Sequence, residues 1–389
     1  AVSAQIVAEE ICSMEDVDRG AKVGLRWARG PFEIANRLGI SEAVSMAKSY
    51  ADLAEFNLPN WFAELTEPLE FNYVDTQVDG EVATIRINRP EAMNALNEIV
   101  VNQLGKVLDS LNAREDIKTI VIDGAGKAFV AGADVKFFVD KIQADAITDI
   151  YQFTANGHEV LNKLENSDKT TIALTTGLAL GGGLELALAC DYRVGTRRTQ
   201  FRFPETSIGI YPGLGGTQRT PRICGIEAAR FAILAGNFLD ANSAAALGLL
   251  THLVDPSEVD QTVSAISNSG KPSNKYPARP ADESHPAAAF ALEFYNDANI
   301  DALVAGNCPE GFEAEDKMVS RQLKSLSRTA PIALSMASDL LNDAVLTGDN
   351  LQQGLALELE RLGDIFASTD AFEGLSALIQ GRRPNYTNN

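Results

Sequence analysis

Residues 171–219 read TIALTTGLALGGGLELALACDYRVGTRRTQFRFPETSIGIYPGLGGTQR. An apolar, β-rich run ends at Gly181, Gly182 and Gly183, the strong helix formers of LELALAC follow, and Glu185 and Glu205 both lie close to glycine-dense turns. Three glycines between a strand-like and a helix-like run make a tight turn that delivers the chain onto a helix N-terminus. Such a turn leaves backbone N–H groups without partners. With the positive end of the helix dipole added, it suits negative charge developing on a carbonyl oxygen. Glu185 falls in the first helical turn, where a carboxylate is also simply a favourable helix-start charge. Leu184, Leu186 and Leu188 give it apolar surroundings, in which a carboxyl has a raised pKa and can do acid/base work. Spacing alone leaves both readings open.

Working outward, the string from Gly177 to Arg222 resembles the signature of the enoyl-CoA hydratase, or crotonase, family, as do KAFVAGADVKFF at 127–138 and INRPEAMNAL at 87–96. The likeness resumes in TAPIALSMASDLL and STDAFEGLSALIQGRRPNY near the C-terminus. It covers roughly Phe71 to His252 and Ser327 to Tyr386. The resemblance implies a crotonase-like ββα superhelix, an α/β fold, with a C-terminal helical region. It implies oxyanion-hole amides at Ala133 and Gly182, and a catalytic pair at Glu185 and Glu205. Isomerases of the family typically keep only the second carboxylate, so having both favours hydration of a trans-2-enoyl-CoA to a 3-hydroxyacyl-CoA, a step of fatty acid β-oxidation. Backbone around Ala92, Met93 and Ala95, and around Ala131, Asp134 and Val135, is implied to bind CoA, which enters as part of the substrate, so no separate cofactor is expected. An enoyl-CoA isomerase, or a non-catalytic acyl-CoA-binding subunit of a β-oxidation complex, are the alternatives.

A second resemblance lies at 12–45: SMEDVDRGAKVGL and GPFEIANRLGI look like the helical C-terminal domain of 3-hydroxyacyl-CoA dehydrogenases. Ser13 reads as an N-cap. No GxGxxG strand–turn–helix accompanies it, so neither NAD binding nor oxidation of a hydroxyacyl thioester is expected of this chain. The layout is that of the end of a dehydrogenase followed by a hydratase, as in archaeal-type fusions; the plain alternative is a helical extension packed on the hydratase. The chain begins at Ala1 without methionine, inside a helix-like pattern, which reads as a processed start or a fragment.

The expected division is a helical segment at 1–56, a linker at 57–70 with Pro59 and Pro68, a core at 71–260, an insertion at 261–325 and terminal helices at 326–389. In the core, EVATIRI, KTIVIDG, TTIALTTG, YRVGT and LLTHLVD read as strands separated by glycines or by helix-period segments such as Ile147 to Leu164. Within the insertion, the Ser-, Pro- and Asn-dense stretch at 267–286 reads as a loop or mobile connector, and Phe290, Phe294 and Tyr295 as helix core. GLGG at 213–216 lacks the GxxxxGK[ST] pattern and reads as a turn.

With 389 residues, 45% of them hydrophobic, more than one domain is expected. A net charge of −20 argues against nucleic acid and against anionic membranes as partners. No run reaches about 18 apolar residues. The four cysteines and three histidines share no ligand spacing, so neither disulfides nor a metal are expected, and a cytoplasmic location is inferred. An acidic chain must supply local positive charge to hold the phosphates of CoA, and Arg382, in a basic pair with Arg383, is where the family places one. The family also implies a homotrimer or a dimer of trimers.

Overall fold

The computed structural model describes residues 1–276 and 281–388. The chain divides into two units, Ala1–Tyr73 and Val74–Asn389. The first is all helix: Val2–Ala8, Met14–Arg19 continuing through a wide turn at Gly20–Gly24, Pro31–Leu38, Ile40–Leu53 and Asn60–Ala63. Ser13 caps its helix by accepting the Asp16 amide at 3.1 Å. Asp18, buried, does the same for the next N-terminus, taking the amides of Phe32 and Glu33 at 2.8 Å each; a Cβ at Gly30 would stand 2.1 Å from its Cγ. Residues 57–70, expected as a linker, pack as part of this unit. Trp61 and Phe62 close on Phe32 with ring centroids 6.0 and 6.3 Å away, and the Asn36 side chain exchanges two 2.8 Å hydrogen bonds with the Leu69 backbone. Two large aromatics give this stretch an apolar anchor despite its prolines.

The second unit is built on ten strands: β1 Val74–Asp79, β2 Val82–Ile87, β3 Thr119–Gly124, β4 Ala128–Ala131, β5 Thr170–Thr175, β6 Leu178–Leu180, β7 Tyr192–Gly195, β8 Gln200–Arg202, β9 Leu239–Asp240 and β10 His252–Leu253. They form two sheets, one ordered β1-β2-β3-β5-β7-β10 and one ordered β4-β6-β8-β9. Only β1–β2 and β8–β9 are antiparallel. Each strand of the first sheet from β3 to β7 is followed by a short strand of the second: β3 by β4, β5 by β6, β7 by β8. Helices follow β4 and β6, so the repeat is strand, strand, helix. The five strands read from sequence belong to the first sheet. The strands of the second sheet, two to four residues long, went unread.

This layering delivers the glycine turn. β6 runs into Gly181, whose φ of 48° is open to glycine and strained for other residues, and the helix Gly182–Ala189 starts at once. Gly183 is forced by contact: a Cβ there would lie 2.0 Å from the Val130 carbonyl of β4. The helix is buried along its whole length, which explains why every residue but Glu185 is apolar.

The stretch read as an insertion carries the helices Val259–Ser269, Pro286–Phe294, Ile300–Val304 and Lys317–Leu326. Its aromatics stack on the core: Phe290 lies 4.7 Å from Phe294, and Tyr295 packs edge-on at 5.7 Å from Phe231. Of the connector expected at 267–286, residues 277–280 lie outside the described residues. The C-terminal helices are Pro331–Thr347, Leu351–Glu360, Leu362–Phe366 and Thr369–Gln380. Among the described residues no helix is long and apolar enough to cross a membrane.

Candidate active site

A cavity of about 480 Å³ opens where β4, β6 and the helix Gly182–Ala189 meet the C-terminal helices, and both Glu185 and Glu205 line it. Glu185 is 2% exposed and Glu205 7%. The helix start aims Glu185 at the turn 212–216. There its Oε1 accepts the amides of Leu214 and Gly216, both at 2.7 Å. Glu205 begins the short 3₁₀ turn Glu205–Ile208 and faces Gly181: a Cβ on that glycine would sit 2.2 Å from its Oε1. Its Oε2 is buried with no hydrogen-bond partner among the described residues.

Burial, and after it the charges of Glu205 and Glu358, push the Glu185 carboxyl well above its ordinary range, while the Gly216 and Leu214 amides oppose that shift. Burial likewise raises Glu205 to about 8, against the pull of Arg202. Two buried carboxyls that feel each other titrate as a pair. Two amide hydrogens point at one oxygen of Glu185, contacts that favour its charged form against burial.

Ala133 and Gly182 line the same cavity. Ala133 pairs with Leu96 in a parallel bridge made by its neighbours: Leu96 donates to the Gly132 carbonyl and Asp134 donates to the Leu96 carbonyl, each at 2.9 Å. In parallel pairing this turns the N–H of Ala133 itself away from Leu96. Gly182 is the first residue of its helix, so its N–H has no partner within the helix. Neither amide donates to a backbone carbonyl among the described residues.

Ala92, Met93, Ala95, Ala131, Asp134 and Val135 all lie on the cavity lining. Met93 and Asn94 both take left-handed backbone, φ 51° and 60°. The buried Asn94 side chain holds this strained corner. It accepts the Arg89 amide at 2.9 Å and donates to the carbonyls of Ala125, Ala128 and Phe129 at 2.9 to 3.1 Å. Arg89 then ties the two rims together, reaching the Ala95 carbonyl at 3.2 Å and Asp134 at 3.3 Å. Arg382 is not on the lining. The left-handed Gly381 (φ 65°) caps the preceding helix, and the Arg382 guanidinium forms a two-pronged pair with Glu373 at 2.6 Å per arm.

Sequence reasoning missed Glu358, whose carboxyl is buried at 0% exposure against the same turn. It accepts the Gly215 amide at 2.6 Å and the Thr217 hydroxyl, while Tyr211 donates its hydroxyl to the Glu358 carbonyl at 2.6 Å. The amides of 214 and 216 thus go to Glu185 and the one between them to Glu358, so two carboxyls hold the turn. His158 Nε2 sits 2.7 Å from the Gly213 carbonyl and 3.4 Å from Glu358. The readable signal was helical spacing: Leu351, Leu355 and Glu358 share one buried stripe.

Known proteins agree with this architecture. A family described as enoyl-CoA hydratase/isomerase matches residues 82–389. A short-chain-enoyl-CoA hydratase of Clostridium acetobutylicum is 28% identical over 81% of the chain and 97% of its own length. A probable enoyl-CoA hydratase of Mycobacterium bovis is 31% identical over 79% of the chain and 95% of its own. An enoyl-CoA hydratase structure from Rhodobacter sphaeroides superposes with a TM-score of 0.69 at 20% identity, covering 82% of this chain and 93% of that one. A carnitinyl-CoA dehydratase from Mycobacterium thermoresistibile gives 0.68 at 23%, covering 81% and 92%. The last two speak to fold alone, whereas the family match spans most of the chain: the protein belongs to the enoyl-CoA hydratase/isomerase family.

Proposed function

We propose that the chain is an enoyl-CoA hydratase, a hydro-lyase that adds water across the double bond of a trans-2-enoyl-CoA in fatty acid β-oxidation. The observation that carries this reading is the pairing, on one largely apolar cavity, of two buried carboxyls with two backbone amides that have no backbone carbonyl partner among the described residues. The thioester oxygen lies between the Ala133 and Gly182 amides. Glu185, in its carboxylate form, takes a proton from water as the oxygen attacks the β carbon. The electron pair of the double bond moves onto the thioester, and the enolate charge is met by the two amides, each worth about 3 kcal/mol. Glu205, whose pKa of about 8 keeps it protonated at neutral pH, delivers its proton to the α carbon. Proton count balances: one leaves water, one reaches carbon, and the carboxyl pair exchanges its charge.

CoA enters as part of the substrate, along the rims at 92–95 and 131–135, and no separate cofactor is used. The N-terminal unit corresponds to the last helices of a hydroxyacyl-CoA dehydrogenase, as in archaeal-type fusions. A cytoplasmic homotrimer or dimer of trimers is the working assembly. Supporting it, Leu378 lines the cavity yet is half exposed, with Ile379 exposed beside it. Loss of the conjugated enoyl thioester absorbance on mixing with crotonyl-CoA tests the activity. Steady hydration to 3-hydroxybutyryl-CoA is the expected result; movement of the double bond in a 3-enoyl-CoA without hydration would replace this reading with isomerisation.

A further inference from the structure

One buried charge cluster plays no part in the scheme above. Glu165 ends the helix Ile147–Glu165 and receives three donors: Arg219 Nε at 2.8 Å, the Tyr276 hydroxyl at 2.6 Å and Lys275 Nζ at 3.1 Å. Burial opposes its charge, yet Lys275 and Arg219 hold it below its ordinary range. Arg219, with no exposed surface, passes the contact on: Nη1 donates to the Leu214 carbonyl at 3.1 Å and Nη2 to Asn162 at 3.2 Å. Leu214 is the residue whose own amide holds Glu185. Lys275 also donates to the Ala189 carbonyl, the C-terminal end of the helix that starts at Gly182 and carries Glu185. One ammonium therefore touches the end of the helix directly, and the turn at 214–216 through Glu165 and Arg219.

Lys275 and Tyr276 lie in the stretch that reads from sequence as an insertion without assigned purpose. A buried carboxylate stripped of a cationic partner is strongly destabilised and drags its remaining partner with it. Here the remaining partner is Arg219, which a Cβ at Gly215 would approach to 1.9 Å, so there is no slack for it to shift without moving the turn. We propose that Lys275 and Tyr276 are positioning residues, supplying the insertion's half of a buried chain from Lys275 through Glu165 and Arg219 to the Leu214 carbonyl that sets the turn holding Glu185.

The activity arm of the test rests on the hydratase reading; the exchange arm does not. K275M and Y276F are made in the full chain, and amide hydrogen exchange is followed in the peptide spanning Leu214–Gly216 and in β5. In K275M the turn should exchange about tenfold faster or more with β5 unchanged, and kcat for crotonyl-CoA should fall about tenfold with KM within about twofold. K275R, which keeps the cation, should recover most of both. Y276F removes only one hydroxyl and should show the same pattern more weakly; it carries the test alone if K275M does not fold. Unchanged exchange at the turn, or exchange that speeds equally in β5, overturns the proposal whether or not the chain hydrates crotonyl-CoA.

Discussion

Gly216 and Glu185, 31 residues apart in sequence, meet at 2.7 Å through an amide hydrogen and a carboxyl oxygen. A methyl group on Gly216 would stand 2.7 Å from that same oxygen and 2.7 Å from the Pro212 ring. The glycine thus supplies a donor where a larger residue would supply a clash, and what yields is decided by stiffness. Pro212 is locked in its ring and turn; the Glu185 carboxyl is the end of a rotatable side chain.

Gly216→Ala should therefore leave the fold in place and displace the carboxyl. A shift of the order of 1 Å in a reacting group costs about 10²-fold in rate. We expect unchanged circular dichroism and near-unchanged affinity for a CoA thioester product, with kcat for hydration lowered by that factor. Full activity in G216A would mean that the amide contact does not set the working position of Glu185.

Glu185→Gln keeps an oxygen able to accept the Leu214 and Gly216 amides, so it isolates proton handling from geometry. Glu205→Gln does the same for the second carboxyl. Each should bind product normally and hydrate at least about 10²-fold more slowly. The double variant should be little worse than the poorer single one, because groups that act as a unit are not additive. Single-turnover rates decide this. Near-normal hydration by E205Q would remove its role as acid and point to a one-carboxyl scheme.

What the sequence disclosed and what it withheld divide along chain distance. Glu185, Gly181 to Gly183 and the strand before them form one local unit, so their spacing alone reads as a turn delivering a helix start. Ala133 and Gly182 needed the family resemblance, since no local pattern says that two amides 49 residues apart, at 133 and 182, line one cavity. Glu358 was hidden because only the fold brings it to Gly215, 143 residues away. Asn94 was hidden because its work is done through a left-handed backbone that no periodicity encodes. Arg382 was read as a contact for a CoA phosphate, and nothing in the string GRR signals the two-pronged pair that its guanidinium makes with Glu373.

The pH dependence of stability gives a check that needs no substrate. Glu205 has an ordinary pKa of 4.5 and, in the folded chain, one of about 8, raised by burial, lowered by Arg202 and raised again by Glu358. Between those values the unfolded chain has released the proton that the folded chain retains. The difference in bound protons, unfolded minus folded, is then negative, so stability falls as pH rises through the window and levels off above about 8, with a slope of at most about 1.4 kcal/mol per pH unit for one group. Glutamine at 205 is neutral throughout and loses nothing. It also lifts the repulsion that Glu205 exerts on Glu185, which acts in the same direction. E205Q and the parent should therefore unfold alike in urea at about pH 4, and the variant should be the more stable by a margin that widens up to about pH 8 and then stays constant. Parallel stability curves across that range would mean that the folded protein does not hold Glu205 protonated, and the assignment of Glu205 as the proton donor would fall with it.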